Sequence, residues 1–149
     1  MRLEFVRLFF VLAVVLIFTV SGVAQEGHPL TGTWYGNFGS TPGQRNDLTV
    51  VMTWDGKATS GIVNPGSNAV PLKTAILDVK LGTPGQGRGN PATPPSFMVH
   101  FEVDAKNKTG GMDHFVFDGK IENPVAGNRR IVGTWTCGNT RGDFVLRRS

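Results

Sequence analysis

The sequence predicts an all-β fold, an antiparallel up-and-down barrel of about eight strands, and three observations carry that expectation. Beyond residue 24, apolar residues recur with a period of two in short runs, as in half-buried strands, and no ten-residue stretch has the three-and-four spacing of a helix face. Turn-forming residues separate the runs: all of the chain's 20 glycines but Gly22, and all 9 prolines, fall after residue 24. Finally, about eight or nine strands joined by short turns favour closure, because an open antiparallel sheet of that size leaves two long edges ready to pair with other chains. A two-sheet β-sandwich is the alternative.

The elements follow in order. Leu30 to Phe38 is the first expected strand and Leu48 to Trp54 the second, with Leu48, Val50, Met52 and Trp54 on one face. Asp55-Gly56 supplies a two-residue turn that tolerates positive φ, and Lys57 to Val63 returns. Asn64-Pro65-Gly66-Ser67 makes the next reversal, before two short strands, Asn68 to Leu72 and Thr74 to Leu81. Gly82 to Pro95 is rich in Gly and Pro and reads as a long loop. Phe97 to Val103 alternates most cleanly, with Phe97, Val99, Phe101 and Val103 against Met98, His100 and Glu102. Phe115, Phe117 and Ile121 extend the same logic through Asp113 to Glu122, Asn123-Pro124 turns, and Ile131 to Thr136 with Phe144 to Arg147 completes the chain. Gly32-Thr33-Trp34 returns as Gly133-Thr134-Trp135, a recurrence of hairpin chemistry and not a repeat array, which needs at least three copies.

The first 24 residues stand apart. Arg2 and Arg7 precede an apolar run from Leu8 to Val20, and Ser21-Gly22-Val23-Ala24 ends in small residues, the order of a secretory signal cleaved after Ala24. The run is shorter than the ~18 apolar residues of a membrane span, so no stable span is expected after cleavage. A single domain from residue 25 to 149 is then expected in a secreted or periplasmic location. A chain of this size buries roughly two thirds of its unfolded surface and requires no staple. Its one cysteine, Cys137, excludes a disulfide framework and multi-cysteine metal sites. The full chain's net charge of +4 becomes +3 once Arg2, Arg7 and Glu4 are removed. That excess is modest for nucleic-acid binding, although Arg129, Arg130, Arg141, Arg147 and Arg148 gather late in the sequence.

Gly32-Thr33-Trp34 on the first strand resembles the G-x-W signature of the calycin superfamily, and Leu30 to Tyr35 with Gly39-Ser40 resembles the opening of avidin-type proteins. The resemblance covers roughly ten residues, together with the chain length, the strand count and a basic residue on the last strand. It implies a lipocalin-like closure, in which Arg147 or Arg148 crosses the ring of Trp34. Phe144 and Leu146 point inward by alternation, so Arg148 shares their face and Arg147 points out. The avidin pattern places an Asn directly after the Tyr. Here Gly36 holds that position and Asn37 comes one residue later, on the opposite face, so biotin binding is not expected.

An eight-stranded barrel holds side chains or one small ligand. The candidate interior residues are Trp34, Trp54, Phe101, Phe115, Phe117 and Trp135, each of which serves equally as packed core. His100 and Glu102 share a strand face, with Asp104 beyond, and would be the acid-base pair of a small-barrel enzyme; a solvated face is the simpler account. Asp113-His114 receives no role. No nucleophile elbow is present, Gly85 to Gly89 lacks the helix that a phosphate loop requires, and no metal set or cofactor is indicated. Asn107-Lys108-Thr109 fits a glycosylation acceptor.

The sequence therefore points to a non-catalytic binding module for a small apolar ligand or a partner. An enzyme using His100 and Glu102, or a solid structural or envelope-associated domain, are the alternatives. Mass spectrometry of the exported protein is expected to find Gln25 at its N-terminus, and an intact Met1 in that fraction refutes the leader.

Overall fold

The computed structural model describes residues 27–85, 89, 91–124 and 127–149. The expected leader and part of the 82–95 loop lie outside the described residues. Eight strands follow one another: β1 (Gly32–Thr41), β2 (Gln44–Trp54), β3 (Thr59–Val63), β4 (Val70–Lys80), β5 (Ser96–Lys106), β6 (Met112–Glu122), β7 (Arg130–Cys137) and β8 (Thr140–Arg148). Each pairs antiparallel with the next. β8 returns to β1, from Trp34 opposite Arg148 to Gly39 opposite Asp143, so the sheet is a closed up-and-down barrel and not a sandwich. Among the described residues no helix is long and apolar enough to cross a membrane.

Two local readings change. The strands expected at 68–72 and 74–81 are one strand, β4, whose register shifts between Leu72, opposite Val103, and Thr74, opposite Glu102. Lys73 is the extra residue of a bulge, which slips the period by one while both Leu72 and Ala75 stay packed against the core. The β2–β3 connection spans four residues rather than two. There Asp55 Oδ1 accepts the backbone N–H groups of Lys57 at 2.7 Å and Ala58 at 2.8 Å, so a side-chain-capped turn replaces the tighter one.

Inward residues from all eight strands form one core. Every phenylalanine beyond residue 24 packs in or against it. Phe101 and Phe117 stack with ring centroids 4.6 Å apart, Phe144 meets Phe117 edge-on at 5.3 Å, and Phe38 bridges Phe117 at 5.7 Å and Trp135 at 5.1 Å. Such aromatic pairs add about 0.5–1.5 kcal/mol each beyond the area they bury. Two glycines make room for this column. Gly119 and Gly133 face each other across β6 and β7, where a Cβ on Gly133 would stand 2.0 Å from the Asp118 carbonyl oxygen and one on Gly119 would stand 3.0 Å from the Phe144 ring.

The two ends of the barrel differ. One carries the 55–58, 81–95 and 123–129 connections and the residues leading into β1; there Leu30 is fully buried and the Trp34 indole N–H donates to its carbonyl at 2.8 Å. The other carries the four remaining hairpin turns. Phe101→Ala is expected to cost about 3–5 kcal/mol in urea unfolding, because it opens a cavity at the centre of the stacked rings. A loss under about 1 kcal/mol, typical of surface positions, would contradict this packing.

Candidate functional site

The six candidate interior residues do not share one environment. Phe101, Phe117 and Trp135 are buried in the aromatic column, and Phe115, half-buried, continues it at 6.0 Å from Trp135. Trp34 is fully buried beside the plug formed by Leu30. Trp54 lies at the end of β2, 37% exposed, with its ring stacked on His28 at 4.3 Å. The reason is positional. Trp54 keeps the inward parity of Met52 but lies at the end of its strand, where the wall no longer covers it.

Burial along the column is graded. Phe101, Phe117 and Phe144 are at most 1% exposed, whereas Phe38, Phe115, Leu72, Val70 and Cys137 towards the hairpin end are half-buried. Aromatic and aliphatic side chains are thus partly exposed at this end. Cys137 stands opposite Phe115, and burial, then the charge of Asp113, pushes its thiol pKa up, which keeps it protonated and a poor nucleophile. Beside it Asn107 clasps the β5–β6 turn. Its Oδ1 accepts from the Thr109 and Gly111 backbones at 3.1 and 2.8 Å, and its Nδ2 donates to Asp113 at 3.0 Å, so the acceptor-pattern amide is already engaged.

At the closed end, Arg148 is half-buried directly opposite Trp34, and Arg147 is exposed, as alternation requires. Gly32 has φ 131°, and a Cβ there would meet the Arg148 Nε at 3.1 Å. The glycine of the G-x-W triplet therefore leaves space for the last-strand guanidinium. Of the five late arginines, Arg129, Arg130, Arg147 and Arg148 line one hollow, while Arg141 lies at the hairpin end.

The outer face of β5 and β6 carries a ladder of acids and imidazoles. His100 faces Asp118 through Nδ1 at 2.7 Å and Glu102 through Nε2 at 3.0 Å. Glu102 also reaches His114 Nε2 at 3.5 Å, His114 Nδ1 meets Asp104, and Lys73 of the bulge pairs with Asp104 at 3.3 Å. The sequence reading gave His114 no role and did not single out Asp118 as a site residue, because only cross-strand register sets Asp118 against His100 and His114 against Asp104. Both ring nitrogens of His100 already face carboxylates, so it has no vacant nitrogen to offer a substrate. No group of three or more His, Cys, Asp or Glu side chains among the described residues is placed to hold a metal ion.

No family model matches the chain, and no curated protein or solved structure matches it.

Only the imidazolium donates through both nitrogens. The hydrogen bond to Asp118, then that to Glu102, accordingly raises the His100 pKa above its usual value. A raised histidine stabilises the fold fully below the unfolded value of about 6.5, and that contribution is lost as pH rises through the folded value. His28 is shifted down by burial and acts with the opposite sign over the same range, so the informative quantity is a difference between proteins. The stability gap between wild type and His100→Gln, from urea unfolding, is expected to be larger at about pH 5.5 than at about pH 8.5. An equal gap at both values would refute the linkage.

Proposed function

We propose that this chain is exported and, after loss of residues 1–24, acts as a non-catalytic binding module that holds a small apolar group at the hairpin end of the barrel. The observation that carries this reading is the gradient in the aromatic column, from sealed rings at the centre to half-buried Phe38 and Phe115 at the mouth. Apolar lining with a few polar groups at the rim, here Asp113 and Asn107, is the usual composition of small-molecule sites. The calycin resemblance agrees with this polarity. Trp34, Gly32 and Arg148 belong to the closed end, which leaves the opposite end for a ligand. The occupied nitrogens of His100 support the non-catalytic part of the proposal.

Cys137, the single cysteine, stands at the mouth and reports on it. A small apolar fluorophore such as anilinonaphthalene sulfonate is expected to bind saturably with unit stoichiometry and to slow thiol labelling of Cys137. Phe115→Ser should weaken it by about tenfold, near the transfer free energy of part of a phenyl ring, while the variant's circular dichroism stays that of the wild type. Absence of saturable binding, or equal binding by the variant, would overturn the apolar site and favour a solid structural barrel.

A further inference from the structure

We infer that the hollow between the ends of β7, β8 and β1 is a second binding site, for a tetrahedral oxyanion of the phosphate class. It is independent of the apolar mouth, which lies at the opposite end of the barrel.

The hollow measures about 240 Å³ and is lined by Tyr35, Asn123, Asn128, Arg129, Arg130, Arg147 and Arg148. Among the described residues that line it, none is acidic. Register explains how the charge comes together. Across the outer wall Tyr35 stands opposite Arg147, Arg147 opposite Arg130, and Arg130 opposite Glu122. Two like charges set directly opposite on an antiparallel pair repel, an arrangement that ordinarily weakens a sheet. Arg130 turns away to Glu122, whose Oε2 takes its Nε–H. Arg147 is left between Tyr35 and Arg130, and among the described residues neither the Arg147 nor the Arg148 side chain makes a hydrogen bond or ion pair. Arg148 is half-buried as well, held at the rim by its backbone N–H, which donates to the Arg129 carbonyl at 3.0 Å.

A partly buried guanidinium wants a counter-charge, and its planar fork of N–H donors matches the oxygen edge of a phosphate bidentately. Arg147 from the outer face of β8 and Arg148 from its inner face both line the hollow and supply its charge. The Tyr35 hydroxyl and the Asn123 and Asn128 amides, in the same lining, add neutral donors at its margin. The volume lies below the roughly 300–1,000 Å³ of drug-sized sites and suits a small oxyanion. An anion there would also relieve the Arg130–Arg147 repulsion, so binding should stabilise the fold.

The test uses the exported protein lacking residues 1–24, with calorimetry and thermal unfolding in inorganic phosphate against sodium chloride at equal ionic strength. Phosphate is expected to bind saturably at one site and to raise Tm where chloride does not. Arg147→Gln should weaken binding by about tenfold, equivalent to about 1.4 kcal/mol, because it removes a charge-assisted hydrogen bond. Arg141→Gln, at the other end of the barrel, should bind as wild type. Vesicles of phosphatidylcholine with and without phosphatidic acid form the second arm. Sedimentation with phosphatidic acid that is lost in Arg147→Gln assigns the phosphate to a lipid headgroup, and saturable binding of inorganic phosphate without sedimentation assigns it to a soluble ligand. An equal response to chloride, unchanged binding by Arg147→Gln, or an equal loss in Arg141→Gln would overturn the site.

Discussion

Closure of the sheet between β1 and β8 is the constraint on which the rest of this structure depends. Six consecutive residue pairs, Trp34–Arg148 to Gly39–Asp143, join the two strands that would otherwise be edges. Once they are joined, the barrel has an inside, and an eight-stranded wall encloses only enough room for its own side chains or one small ligand. Phe38, Phe101, Phe115, Phe117, Phe144 and Trp135 form a connected set of stacked and edge-on rings inside it. The wall in turn needs glycine at Gly119, which lies against the Phe144 ring, and at Gly133, which lies against the Asp118 backbone. Packing and topology are thus one problem here, because the same register that closes the sheet brings the rings within stacking distance.

The same closure makes the ends unlike. Leu30 and Trp34 seal one end from within, and Arg148 lies over Gly32 at its rim. Towards the hairpin end Trp135 is buried, its indole N–H on the Gly39 carbonyl, while Phe38 and Phe115 are half-buried. The two proposed sites lie at opposite ends of the barrel. Such sites gain from the scaffold's stiffness, since little has to be ordered when a ligand arrives.

Two groups of charges stand out on the outer wall. β5 and β6, with Lys73 of the β4 bulge, carry the ladder of His100, Glu102, His114, Asp104 and Asp118, in which acids and imidazoles alternate and satisfy one another. β7, β8 and β1 carry Arg130, Arg147 and Tyr35, in which two like charges adjoin. Glu122 on β6 stands where the two regimes meet. A ladder already satisfied is a structural feature tuned by pH, whereas an unbalanced row invites a ligand.

The sequence by itself determined the strand content, the identity of the inward residues and the side of β8 on which Arg148 lies, because period-two alternation is local and survives in single runs such as Phe97 to Val103. It misjudged β4, because a one-residue bulge at Lys73 looks like a break when only periodicity is read. It also placed Trp54 with the interior, since alternation says which face a residue takes and not how far the wall extends to cover it. The barrel that the strand count favours over a sandwich is the fold that forms, whereas the partners of His100 and the meeting of Arg130 with Arg147 were decided by tertiary structure alone. These depend on cross-strand register between residues up to the full length of the barrel apart, which hydrogen-bond pairing sets and no local spacing records.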